Sequence, residues 1–174
     1  MGDDDTIAQL GETARALEPE ECADLARAAA AHIDVDALDR SGPGSARLLW
    51  RTAHSEAWLN TWWEARDTGF HDHDGSCVGV HVLAGRAANE SLTIDAPRAE
   101  RWFGPGESFA FTGAGIHRMD HAAGTVTIHV YSPPIQSIGH YELVEGQLRR
   151  TPGPPDEESP PSPALTATLA RRGD

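Results

Sequence analysis

Three histidines carry the chemistry open to this chain: His71 and His73 in F-H-D-H-D-G-S, and His117 in A-G-I-H-R-M. Side chains two apart on a strand share a face, so His71 and His73 can offer imidazoles to one ion from neighbouring positions on a wall. A third ligand has to come from another strand. His117 lies 44 residues beyond His73 and follows the turn-rich run F-T-G-A-G, the separation expected of two successive metal-binding hairpins in one small β-barrel. Three neutral imidazoles suit Fe, Zn, Cu or Ni and leave coordination positions open for a substrate. An H-x-H pair alone is a weak signal, because alternating histidines are readily satisfied by backbone carbonyls or lie partly exposed. The third histidine strengthens it.

The elements that must position this trio can be read from periodicity. From Asp5 to about Ile33 the chain reads as two helices, with Ile7, Leu10, Ala14 and Leu17 at helical spacing and Pro19 opening the second. After the loop D-R-S-G-P-G-S, strand-like segments run over 47–52, 57–63, 78–83, 90–94, 107–111 and 125–131. Short strands at regular spacing with Gly and Pro between them predict an all-β barrel or sandwich. A last hairpin is expected from 139–144, the turn Glu145-Gly146, and 147–150. Beyond Thr151 the composition changes to T-P-G-P-P-D-E-E-S-P-P-S-P, which predicts a disordered tail over 152–174. The expected organisation is therefore a helical segment over 1–40 packed on a barrel over 41–151, then the tail.

A chain of 174 residues with 39% hydrophobic content is one domain able to bury its own core. The formal charge of −13, from 27 acids against 14 Lys and Arg, argues against nucleic-acid and anionic-membrane partners. No apolar run approaches the length of a membrane span and no secretory leader is visible, so a soluble cytoplasmic protein is expected. The opening M-G-D-D-D-T formally matches an acylation pattern, but three aspartates and the lack of a basic patch speak against it. Cys22 and Cys77, one in a predicted helix and one beside the metal motif, give no disulfide framework and fit a reducing compartment.

The two metal-bearing segments resemble the cupin motifs G-x5-H-x-H-x3,4-E-x6-G and G-x5-P-x-G-x2-H-x3-N in spacing. Gly85 closes the first and Gly106 opens the second; Thr112, Ala114 and His121 stand at the Pro, Gly and Asn positions, and Val78 at the Glu position. A site without that carboxylate has one more open position and one less negative charge, which favours a substrate that brings an anionic ligand of its own. Together with H-D-H, the run T-V-T-I-H-V-Y-S-P-P from Thr125 to Pro134 resembles the cysteine dioxygenase family over about residues 45–150.

That resemblance implies a double-stranded β-helix, or jelly-roll barrel, holding Fe(II) through His71, His73 and His117. It also implies a non-haem thiol dioxygenase that adds both atoms of O2 to a small thiol carboxylate, with cysteine leading and a 3-mercaptopropionate-type substrate as the rival. A non-oxidative metal-binding cupin, an isomerase or small-ligand binder, is the alternative from another class. Thr127, His129 and Tyr131 alternate onto one face, and by resemblance Tyr131 is the active-site tyrosine that His129 orients. An arginine on an early strand should hold the substrate carboxylate: Arg47 is the better match and Arg51 the runner-up. Animal members crosslink a cysteine to this tyrosine; the matching position here is Val78, one past Cys77, and no crosslink is expected. His121 is open between an outer hydrogen-bond donor and a competing ligand, and His81 is undecided. His32, His54 and His140 are expected to be surface or structural, and the tryptophans barrel core or wall, with Trp62 or Trp63 a possible pocket shaper. A monomer or small homo-oligomer is expected.

Overall fold

The computed structural model describes residues 3–92, 99–145 and 147–151. The Pro-rich segment 152–174, the first two residues of the acylation-like motif and the end of the expected 90–94 strand lie outside the described residues. Two helices, α1 (Asp3–Leu10) and α2 (Pro19–Ala30), precede the strands. In the first sheet β1 (Gly44–Arg51), β2 (Glu56–Trp62), β10 (Thr125–Ser132), β5 (Cys77–Ala84) and β8 (Ser108–Phe111) pair in that order. In the second the order is β12 (Gln147–Thr151), β11 (Gly139–Val144), β4 (Phe70–Asp72), β9 (Ile116–His121), β6 (Ala87–Leu92) and β7 (Ala99–Phe103), with β3 (Arg66–Asp67) beside β9. All pairings are antiparallel.

The first sheet is covered on both sides. Every residue of β10 is buried, and so are nearly all of β2 and β5. On β10 the two faces separate cleanly: Val126, Ile128 and Val130 pack with Cys22, Ala26 and Ala29 of α2, whereas Thr127, His129 and Tyr131 look the other way, toward the second sheet. This is why the strand reads as an apolar run interrupted by polar residues: each polar residue buried there has found a hydrogen-bond partner. The second sheet has one wet face, and β9 shows it, with His117, Met119 and His121 buried and Ile116, Arg118 and Asp120 partly exposed between them. On its outer side Arg118 bonds Glu90 at 2.6 Å and reaches Asp67 at 3.3 Å.

Helix α2 starts as its sequence indicates. Pro19 occupies its first turn, and the Glu18 N–H donates to Glu21 Oε2 at 2.8 Å. It lies directly on β5 at Gly79, where a Cβ would stand 2.0 Å from the Ala23 nitrogen. The first helix is shorter than its periodicity predicts. It ends at Leu10 because Gly11 abuts Trp50, whose ring would be 2.2 Å from any Cβ there. Leu17 still packs on the core, but from the connecting segment, where its N–H donates to Ser132 Oγ at 2.8 Å. Among the described residues no helix is long and apolar enough to cross a membrane.

Candidate metal centre

The site forms between the two sheets. His71 on β4 pairs directly with His117 on β9 in the ladder, and His73 follows one residue after β4 ends. The turn after it closes through the Ser76 N–H to the His73 carbonyl at 3.1 Å and passes through Asp74 at φ 51. The two histidines of H-D-H therefore lie in and just past a short strand rather than in the middle of a long one. The three rings converge nonetheless: centroids lie 5.0 Å apart for His71 and His73, 4.4 Å for His71 and His117, and 5.1 Å for His73 and His117. One potential ligand atom from each falls within 4.8 Å of the other two.

The hydrogen bonds and burial around the trio suit a cation. His117 Nδ1 is 2.8 Å from Asn89 Oδ1, and His71 Nδ1 is 3.0 Å from the Gly69 carbonyl. Both partners only accept, so each ring donates from Nδ1 and keeps its Nε2 lone pair. His117 Nε2 is buried and has no hydrogen-bond partner among the described residues. A lone pair left bare in a buried site is costly unless something electrophilic meets it. Burial also holds all three imidazoles below the ordinary histidine range, the neighbouring histidines adding to it for His73 and His117, so they stay neutral. Neutral, convergent nitrogen donors, with the tautomers of His71 and His117 fixed, fit Fe(II) and other borderline divalent metals.

The facing wall belongs to β10 and β2. Tyr131 lies edge-on to His73, with centroids 4.9 Å apart, and its phenol oxygen is 3.0 Å from His129 Nδ1. His129 Nε2 is 3.0 Å from Thr127 Oγ1, and the Trp62 Nε1–H donates to that same oxygen at 3.4 Å. Burial lowers His129 to a pKa of about 3 and raises Tyr131 well above an ordinary phenol, with the Glu56 carboxylate adding to the rise. The imidazole is neutral and the phenol keeps its proton.

The fold treats the two arginines differently. In a regular strand Arg47 and Arg51, four apart, would share a face. A bulge between Leu48 and Trp50 breaks that phase: Arg47 pairs with Leu59, but Trp50 pairs with Ala57 and Arg51 with Glu56. Arg47 is not brought to the site; it is half exposed and reaches Asp4 of α1 at 3.6 Å. Arg51 stands in the row Arg51, Glu56, Tyr131, Val78 that crosses four strands. Its Nε donates to Glu56 Oε2 at 2.6 Å, its Nη2 closes on the same oxygen, and Glu56 Oε1 accepts from the Ile135 N–H at 3.2 Å.

Other positions resolve in the same way. Val78 stands directly opposite Tyr131, whereas Cys77 pairs with Ser132, and its sulfur points to the helix side. His121 is buried and stacked on Trp62, centroids 4.0 Å apart and planes 16° from parallel, so the ring is a wall of the site rather than a member of the trio. His81 faces the helices and bonds Ser108 Oγ at 2.7 Å. Trp62 lies in the interior, while Trp63 donates to the Asp39 carbonyl at 2.8 Å on the other side. Sequence reasoning passed over Asn89, Glu56 and Phe111, and took His140 as surface or structural. Phe111 lies against His117 at 3.9 Å, and His140 is 6.5 Å from His71 across β11. Only the strand alternation of β6 pointed inward at Asn89; a buried Glu56 had no signal of its own.

Two antiparallel sheets facing each other around three histidines that could hold a metal ion give the chain a cupin-like double-stranded fold. The family model for cysteine dioxygenase type I matches residues 35–143, well over half the chain, and the chain belongs to that family. Among solved structures, it is similar to KdgF from Halomonas sp., at 16% identity over 55% of this chain and 84% of that one, with a TM-score of 0.47. It is similar too to a double-stranded β-helix domain protein of Klebsiella pneumoniae (14% identity, 61% and 92% covered, TM-score 0.47) and to a Bacillus halodurans protein (16%, 64% and 82%, 0.48). No curated protein matches the chain.

Proposed function

We propose that the protein is an Fe(II)-dependent thiol dioxygenase that converts a small thiol carboxylate, cysteine first among them, to its sulfinic acid with O2. The observation that carries the reading is the meeting of His71, His73 and His117 with the Tyr131–His129–Thr127 row in a chain of this family. Fe(II) held by the three imidazoles would let a thiolate sulfur and O2 bind side by side on one ion, since three protein ligands leave positions open.

The rest of the chemistry rests on this chain's own residues. Trp62 donates to Thr127 Oγ1, which leaves the Thr127 hydroxyl free to donate to His129 Nε2. His129, neutral, then carries its proton on Nδ1 and donates it to the Tyr131 oxygen. The phenolic proton is thereby turned away from the row and toward the His73 side, where an oxygen atom of the reacting pair would accept it. Because burial keeps the phenol protonated, Tyr131 acts as a hydrogen-bond donor throughout and never as a base. Arg51 is the carboxylate partner in this reading. Glu56 holds its Nε edge, and Nη1 remains to meet a substrate oxygen. Val78, opposite Tyr131, leaves the phenol without a thioether link.

The test is O2 uptake by iron-loaded protein with cysteine and, separately, with 3-mercaptopropionate, the product followed by mass spectrometry under 18O2. Two heavy oxygens in the sulfinate of either thiol support the reading, and the ratio of kcat/KM values selects the substrate. Absence of thiol-dependent uptake with stoichiometric Fe(II) present refutes it and favours a non-oxidative metal cupin.

A further inference from the structure

The chain has only two cysteines, 55 residues apart in sequence, and the fold brings them together: Cys22 Sγ and Cys77 Sγ are 3.7 Å apart and both side chains are buried. The contact follows from Gly79, which shares a face of β5 with Cys77 and lets the α2 backbone sit directly on the strand. The first turn of α2 is thus drawn against β5, and Cys22 lies in that turn. The Cys77 thiol donates to the Leu17 carbonyl at 3.2 Å, and this leaves its sulfur to accept from Cys22. By donating, Cys22 holds Cys77 below the ordinary thiol range, while the same contact and burial push Cys22 upward. The two sulfurs are thus unequal, with Cys77 the more exposed and the readier nucleophile.

We propose that Cys22 and Cys77 are a redox modification site, a thiol pair that closes to a disulfide and staples α2 to β5 when a low-molecular-weight disulfide is in excess. Cys77 thiolate attacks one sulfur of the small disulfide; that S–S bond breaks, a mixed disulfide forms on Cys77, and one small thiolate leaves with the proton Cys77 gave up. Cys22 then attacks Cys77 Sγ, the mixed disulfide breaks, and the second small thiolate leaves with the Cys22 proton. Two protein thiols are oxidised to one disulfide, and one small disulfide is reduced to two thiols. The chemistry is independent of the metal site, since both sulfurs lie on the helix-facing side of β5.

The site is tested on the full chain equilibrated with oxidised or reduced glutathione, both as folded protein and by refolding from urea, then denatured and alkylated. The expected result under oxidised glutathione is loss of both alkylatable thiols, an intact mass lighter by two hydrogens, a peptide linking Cys22 to Cys77, and a Tm higher by roughly 5–15 °C than in the reduced protein. In Cys22→Ser the glutathionyl group should stay on Cys77, because the resolving sulfur is gone. Two alkylatable thiols in the wild type after oxidation, or a glutathione adduct that persists on it, overturns the proposal; either result is read on the wild-type chain alone, whether or not the variant folds.

Discussion

Acidification should cost the fold about 2 kcal/mol through His121 alone. This ring is buried between the sheets and stacked on Trp62, and among the described residues neither nitrogen has a hydrogen-bond partner of ordinary geometry. Burial lowers its pKa to about 4, against a pull in the other direction from the Arg66 backbone beside it. The unfolded chain binds the proton near the free value of about 6.5. The neutral native form is therefore favoured at full strength above the unfolded value, and stability is lost as pH falls from there toward about 4, below which the native state protonates as well. Integrating between those two values, the loss from about pH 7.5 to about pH 5 is about 2 kcal/mol. Urea unfolding of metal-free protein at both pH values, for wild type and for His121→Phe, isolates this contribution. His129, with a pKa of about 3 set first by burial, loses stability in the same direction in both proteins and cancels in the difference except for the smaller part of its shift that the His121 charge supplies. The wild type should lose about 2 kcal/mol more than the variant. Equal losses in the two proteins would refute the claim that His121 is held neutral by its surroundings.

Asn89→Ala should weaken metal binding roughly 10–100-fold while the chain stays folded, since the acceptor that fixes the His117 Nδ1–H is removed; competitive titration against a chelator measures it. Arg51→Gln should raise the KM for a thiol carboxylate at least tenfold, whereas Arg47→Gln, at the half-exposed edge beside Asp4, should leave kcat and KM within about twofold; the reverse ranking would show that the bulge has been read wrongly. Tyr131→Phe should bind metal as wild type does and lose most turnover in single-turnover assays, and unchanged activity would remove the phenol from the mechanism. Gly79→Ala should lower stability by about 1–3 kcal/mol in thermal unfolding, because the added methyl meets α2 backbone rather than a movable side chain.

The residues that could be found from sequence are those whose spacing is tied to a regular ladder. His71, His73 and His117 converge as their motif spacing indicates, and Thr127, His129 and Tyr131 share a face because β10 is unbroken. Where the ladder slips, pattern reading fails. The extra residue between Leu48 and Trp50 sends Arg47 and Arg51 to opposite faces, and nothing in R-L-L-W-R announces a bulge. The short strands β3, β4 and β7 and the terminal turn of α1 were obscured for a related reason: they are shaped by what they touch, as Gly11 is by Trp50, and not by a period of their own. The meeting of Cys22 with Cys77 is a purely tertiary fact, invisible until α2 is docked on β5.

That the three imidazoles sit on one sheet and the phenol, its supporting hydroxyl and the guanidinium on the other has a mechanical consequence. The gap between the histidine cluster and the Tyr131 oxygen is a separation between two slabs. Its width is set by the side chains filling the space between, Met119, Val80 and Phe103 among them. Altering the bulk of such spacers is therefore a way to tune the reach of the phenol's hydrogen bond without replacing a single histidine of the cluster.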